Sequence, residues 1–150
     1  MAYQSKYKKG FTTLELIIVI GIFVLLFSLS VTVYIGFTSK ENRELAAGTL
    51  VEALRFAQSN SEAVNDDSKW GVKISTTSPT ITVFKGSSYG TRDTTHDQLT
   101  TFSGRLTASG LTEIIFEKMN GDTFTTGTTT FTDSNGVKDV QINGKGTITY

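Results

Sequence analysis

From Leu16 to Phe27 the chain reads LIIVIGIFVLLF, and apolar residues continue at Leu29, Val31, Val33, Tyr34 and Ile35 with only small hydroxyl residues between them. About 20 such residues, wound as a helix, are long enough to cross a hydrocarbon core. A helix lying on a soluble core keeps one polar face, and this stretch has none. Ser28, Ser30 and Thr32 suit the same helix, because their hydroxyls can bond back to carbonyls one turn earlier. Lys6, Lys8 and Lys9 stand before the run, while the rest of the chain carries an acidic excess. That asymmetry orients a membrane segment with its N-terminus in the cytoplasm and the body outside.

A cleaved secretory signal has a shorter apolar stretch followed by a small-x-small site. Ser28-Leu29-Ser30 imitates that site poorly, and the apolar run continues past it. The informative residues lie upstream, in KKGFTTLELIIVIGIF. Glu15 sits just inside the apolar run, where a carboxylate costs a few kcal/mol unless neutralised or paired. No basic residue lies within the run to pair with it.

The combination of a basic leader, Gly10, Phe11, Glu15 four residues on and an unbroken apolar helix resembles the processing site of type IV prepilins and pseudopilins. The resemblance covers some 25 residues and implies cleavage between Gly10 and Phe11 by a membrane prepilin peptidase, followed by N-methylation of Phe11. It also implies that Glu15 compensates the freed amine of Phe11, its own or a neighbour's, when subunits assemble. Gly10 suits close approach by a peptidase because it has no side chain. Otherwise Gly10 is an ordinary residue before a helix, and Glu15 a carboxylate at headgroup level beside Lys8 and Lys9. The proline that many major pilins carry midway along this helix is missing, and only Gly21 could loosen it.

A polar collar follows at Lys40, Glu41, Asn42, Arg43 and Glu44, consistent with emergence from a membrane. Ala46, Leu50, Ala53, Leu54, Ala57, Ser61 and Val64 then recur at spacings of three and four, so the helix continues as an amphipathic half that ends at Asn65, Asp66 and Asp67. From Trp70 the composition shifts to Thr, Gly and β-branched residues. Strands are expected over Trp70–Ile74, Thr80–Lys85, Leu99–Phe102, Glu113–Glu117, Thr128–Thr132, Val137–Ile142 and Thr147–Tyr150. Asn120-Gly121, Asn135-Gly136 and Asn143-Gly144 supply the positive-φ residues of tight hairpins. One face of the resulting sheet is expected to pack on the helix stripe. The stretches LAAGTLVEALRFAQSNSEA, WGVKI and VQINGKGTITY are similar to minor pilins and pseudopilins of the FimT/GspH type.

Other chemistry finds little support. The chain has 150 residues, 14 basic and 14 acidic side chains, one His and no Cys. Disulfides and thiolate metal sites are excluded, and the balanced charge proposes no polyanion partner. His96, in a polar loop beside Asp97, suggests a local surface contact in place of a catalytic dyad. Asp133-Ser134-Asn135-Gly136-Val137-Lys138-Asp139 has oxygen donors at alternate places, as in a calcium loop, but lacks the closing bidentate acid; a hairpin turn explains it equally. Gly144-Lys145-Gly146 is too short for a phosphate loop and precedes a strand.

The sequence thus predicts an α+β protein: a long N-terminal helix, membrane-spanning then amphipathic, packed on an antiparallel β-sheet head. The expected divisions are a leader over residues 1–10, a filament-core helix over 11–36, its amphipathic continuation over 37–66 and a β-rich head over 67–150. The resemblance implies a structural or assembly subunit of a type IV pilus or type II secretion pseudopilus, with no enzymatic activity, cofactor or metal. Its partners would be the prepilin peptidase, other pilins or pseudopilins of the filament, and membrane lipid before assembly. It would sit in the bacterial cytoplasmic membrane with the head outside, then in the filament. The alternative is a minor pilin that binds DNA, which requires Lys73, Lys85, Lys138 and Lys145 to converge on one face.

Overall fold

In a computed structural model of the chain, which describes residues 10–150 apart from the side chains at 29–33 and 35, a single α-helix, α1 (Thr13–Glu62), precedes eight short strands. Leader residues 1–9, with Lys6, Lys8 and Lys9, lie outside the described residues, as do the side chains of Leu29, Val31, Val33 and Ile35. The chain divides into two compact units, Met1–Phe37 and Thr38–Tyr150.

The first unit holds the apolar part of α1. Its described side chains from Leu14 to Phe27 are exposed, Leu16, Ile17, Phe23 and Leu25 each by more than half. The membrane-spanning first half expected from the sequence is not upheld: among the described residues no helix is long and apolar enough to cross a membrane. The described apolar side chains, Leu14 to Phe27, cover only about 20 Å at 1.5 Å per residue, against about 30 Å of hydrocarbon. The helix also opens on an ionisable group, Glu15, in its first turn.

The second unit is built around the rest of α1. The face carrying Ala46, Ala47, Leu50, Val51, Leu54, Ala57 and Ser61 is buried. Ala47 and Val51 widen the expected stripe, whereas Ala53 is only partly covered. The helix ends at Glu62, earlier than expected. Val64 turns left-handed at φ 54°, and a 3-10 turn, Asn65–Asp67, carries the chain to the first strand.

Two antiparallel sheets replace the single sheet expected. Strands β1 (Trp70–Ser75), β2 (Thr80–Lys85), β3 (Asp93–Thr101) and β5 (Glu113–Phe116) form the first in the order β3-β2-β1-β5. Strands β4 (Thr107–Gly110), β6 (Gly127–Asp133), β7 (Gly136–Ile142) and β8 (Ile148–Thr149) form the second in the order β4-β6-β7-β8. Strand β4 was missed by the sequence reading, since TASG offers no apolar run. Asn135-Gly136 and Asn143-Gly144 do join paired strands. Asn120-Gly121 does not, because β5 and β6 belong to different sheets.

Alternation along the strands sends Val72, Ile74, Ile81, Val83, Ile114 and Phe116 of the first sheet, and Ala108, Phe131, Val140 and Ile142 of the second, into one core with the helix face. The outer face of the first sheet is covered separately. Phe84 lies across the bare backbone of Gly71, where an added Cβ would stand 2.7 Å from the Ile114 carbonyl oxygen and 2.7 Å from the Phe84 ring. Tyr89, on a short turn after β2, meets the Phe84 ring edge-on at 5.6 Å. Arg92 stacks on Tyr89 at 3.7 Å from the ring centre and is fixed by Asp97.

Ser61 joins the helix to the first sheet. Fully buried, its hydroxyl accepts the Trp70 backbone N–H at 2.9 Å and donates to the Phe116 carbonyl at 3.2 Å, while its own carbonyl accepts the Met119 N–H at 3.0 Å. Ser61→Ala would strand a buried backbone N–H and is expected to cost about 1–3 kcal/mol. The exposed neighbour change Ser59→Ala is expected to stay within about 0.5 kcal/mol. Urea unfolding of the two variants measures the difference, and equal midpoints would remove Ser61 from this role.

Candidate functional site

In the first unit, the residues singled out by the sequence cluster at the start of α1. Gly10 and Phe11 lie before the helix and are exposed, Phe11 by 84%. A Cβ added at Gly10 would meet nothing within 4 Å. Among the described residues nothing covers Gly10 or Phe11.

Two residues further on, the Thr12 hydroxyl accepts the backbone N–H of Glu15 at 3.2 Å, and the Thr12 carbonyl accepts the N–H of Leu16 at 3.1 Å. Thr12 is thus the helix N-cap and Glu15 the third helical residue, the Thr-x-x-Glu arrangement of a capping box. The carboxylate in the first turn also faces the positive end of the helix dipole. Sequence reasoning missed Thr12, although its signal, Thr12-Thr13-Leu14-Glu15, was in plain view. The cap takes the backbone N–H of Glu15, and for the carboxylate the local compensation is the helix dipole.

In the second unit, Arg43 and Glu44 of the polar collar make contacts with the second sheet, while Lys40, Glu41 and Glu44 stay exposed. Arg43 donates to the Asp133 carboxylate at 2.5 Å with both side chains largely buried. Asn135 donates to the Ser39 hydroxyl at 2.9 Å, and Lys138 pairs with Glu44 at 2.9 Å. The β6–β7 turn is thereby clamped onto residues 39–44 of the helix. The Asp133 oxygen that bonds Arg43 also accepts the Asn135 backbone N–H at 2.8 Å, so the oxygens read as a possible cation loop hold a guanidinium and a turn. Among the described residues no group of His, Cys, Asp and Glu could hold a metal ion.

His96 does not meet Asp97, which is taken by Arg92. Its Nδ1 lies 3.0 Å from Asp93 and its Nε2 3.4 Å from Asp66, while the ring stands edge-on to Trp70 at 6.1 Å. Lys85 reaches the same two carboxylates, at 3.3 Å and 3.9 Å. Among the described residues the one hydroxyl bonded to the imidazole is that of Thr95, which also bonds Asp93. The group ties β3 to the turn after the helix. In Gly144-Lys145-Gly146 the Asn143 side chain accepts the N–H groups of Lys145 and Thr147, leaving neither for an anion.

The four lysines on which a DNA-binding reading depends do not converge. Lys73 pairs with Thr82 and Lys85 with Trp70 in the strand register, which puts the two lysines on opposite faces of the first sheet. Lys138 and Lys145 stand in or beside the second sheet. Each of the four is within ion-pair distance of a carboxylate.

Compared with known proteins, the chain matches no protein-family model, no curated protein and no solved structure.

Three surface carboxyls are held below their ordinary range: Asp93 chiefly by hydrogen bonds from the Thr95 hydroxyl and N–H, Asp67 by the Lys118 bond, and Glu44 by the Lys138 bond. A depressed native pKa means the unfolded chain binds more protons, so this stability is present above the unfolded values and lost as pH falls through the native ones. The melting temperature is expected to hold down to about pH 4.5 and to decline below it, less steeply at high salt because the groups are exposed. A flat profile down to pH 3 would show that these bonds contribute nothing.

Proposed function

We propose that the chain is a pilin-like structural subunit of an extracytoplasmic filament, a type IV pilus or a type II secretion pseudopilus, processed between Gly10 and Phe11. The observation that carries this reading is the junction itself: an exposed Gly-Phe peptide stands two residues before a capped helix whose large apolar side chains are exposed. A surface of Leu, Ile, Val and Phe on this scale calls for a partner. Copies of the same helix side by side supply one, with lipid as the partner before assembly. Prepilin peptidase is the processing partner, and Phe11 the residue N-methylated.

Within the bundle the Thr12 cap on the Glu15 backbone and a pairing role for the Glu15 carboxylate are compatible. The carboxylate lies in the first helical turn, so in a staggered neighbour it can meet the amine of a processed Phe11. The dispersed and paired lysines favour this reading over direct DNA binding.

Intact-mass measurement of the protein from cells containing the peptidase is expected to show loss of residues 1–10 and one added methyl group on Phe11. A chain starting at Met1, or cut near Val31, would overturn the reading.

Glu15→Gln keeps the size and removes the charge. Cleavage is expected to persist, while recruitment into filaments falls steeply, since an amine left unpaired in an apolar bundle costs several kcal/mol. Cross-linking of the cleaved variant to its filament neighbours measures the loss. Wild-type cross-linking would leave the Glu15 carboxylate with the helix dipole alone.

A further inference from the structure

Asparagine is followed by glycine at Asn120, Asn135 and Asn143. That dipeptide is the one most open to ring closure, because no side chain keeps the glycine nitrogen away from the asparagine amide carbon. By composition the pairs are alike, and the fold treats each of them differently.

Asn143 and Gly144 are both exposed, in the turn between β7 and β8. The Asn143 Oδ1 accepts two backbone N–H groups, that of Lys145 at 2.9 Å and that of Thr147 at 3.0 Å. The Asn143 N–H donates in turn to the Thr147 carbonyl at 3.2 Å, so the amide oxygen is held between two donors of its own turn. The Gly144 carbonyl accepts the Thr123 N–H at 3.1 Å, while the Gly144 N–H makes no hydrogen bond among the described residues.

The other two pairs lack this arrangement. Gly121 is buried under the Glu62 side chain, its N–H is spent on the Glu117 carbonyl at 3.2 Å, and the Asn120 Oδ1 accepts the Asp122 N–H alone, at 3.3 Å. Gly136 already belongs to β7, in register with Asp133, and Asn135 is bonded through its own N–H groups, to Asp133 and to Ser39.

We propose that Asn143 is a site of spontaneous deamidation built by its own turn. The Gly144 nitrogen bonds to the Asn143 amide carbon and gives up its proton, the amide nitrogen leaves as ammonia, and a succinimide ring closes. Negative charge gathers on Oδ1 as the nitrogen adds, and the N–H groups of Lys145 and Thr147 stand where an oxyanion hole places its donors. Water then opens the ring at either carbonyl, leaving aspartate or isoaspartate. Aspartate at this position still accepts both N–H groups and keeps the turn. Isoaspartate adds a methylene to the backbone of a turn whose ends are fixed by the pairs Gln141↔Thr149 and Ile142↔Ile148. Strand β8 has two residues and is bonded to β7 alone, so the longer turn releases it and uncovers Ile148 from the core.

The full chain in a mild detergent is aged at mildly alkaline pH, native and unfolded in urea, and peptides carrying each asparagine are followed by mass for conversion of amide to acid. Unfolding erases the differences between the turns, so in urea similar rates are expected at all of them. In the native chain Asn143 is expected to convert at least as fast as in urea, and at least about tenfold faster than Asn120 or Asn135. In Gly144→Ala the added Cβ meets the Thr123 carbonyl oxygen at 3.7 Å and the Thr126 side chain at 3.8 Å, ordinary contacts, so the melting temperature is expected to hold. Conversion of Asn143 in that variant is expected to slow at least about tenfold. In the isoaspartate product hydrogen exchange at Ile148 and Thr149 is expected to rise at least about tenfold, with β1 unaffected. Slower conversion of Asn143 in the native chain than in urea, an equal native rate at Asn120 or Asn135, or an unslowed Gly144→Ala would each overturn the site. Unchanged exchange at Ile148 and Thr149 would overturn the release of β8.

Discussion

The second unit depends on how closely two sheets can approach one helix. Ala46, Ala47, Ala57 and Ser61 place almost no bulk on the buried face of α1, and Leu50, Val51 and Leu54 fill the space between. Phe116 and Phe131, both fully buried, come from different sheets and join the same cluster. Neither sheet has enough apolar surface on its own to form a core; each borrows the helix as the other layer. The Ser61 hydroxyl makes this packing directional, because its bonds to Trp70 and Phe116 fix where the first sheet meets the helix.

Polar contacts finish what apolar packing begins. Arg43 and Asp133, largely withdrawn from solvent, hold the β6–β7 turn, and the Asn135–Ser39 and Lys138–Glu44 bonds flank them. At the other end Asp66, Lys85, Asp93 and His96 gather against Trp70. Side chains that might have signalled catalysis or cation binding are spent on joining elements. What remains uncommitted is the apolar surface of the first unit and the edge strands of the second, β3 and β5 in one sheet and β4 and β8 in the other.

Much of the strand pattern was legible because it is local. Thr80–Lys85 opens on four β-branched residues in a row, and Asn135-Gly136 carries the backbone demand of its turn in its own composition, whereas in the last turn the positive φ falls on Gly146 and not on Gly144. Thr12 was equally legible as a cap and was overlooked beside the stronger signal of Glu15. The division into two sheets was not legible. Asn120-Gly121 looks like the other turns, and only the distance between β5 and β6 in the fold shows that it changes sheets. Nor could the collar be read correctly, since Arg43 and Asp133 are 90 positions apart.

By itself the sequence determined the apolar helix, its start beside Gly10 and Phe11, the small-residue stripe and the strand-forming character of the C-terminal half. Each of these follows from side-chain chemistry repeated at the period of one element, so no distant residue is needed to decide it. Only the tertiary structure decided that Arg43 of the polar collar meets Asp133, that His96 answers to Asp66 and Asp93, that the lysines lie apart, and that β3, β5, β4 and β8 are left as edges. Those outcomes depend on which distant residues meet, and periodicity along a chain carries no record of its partners in space.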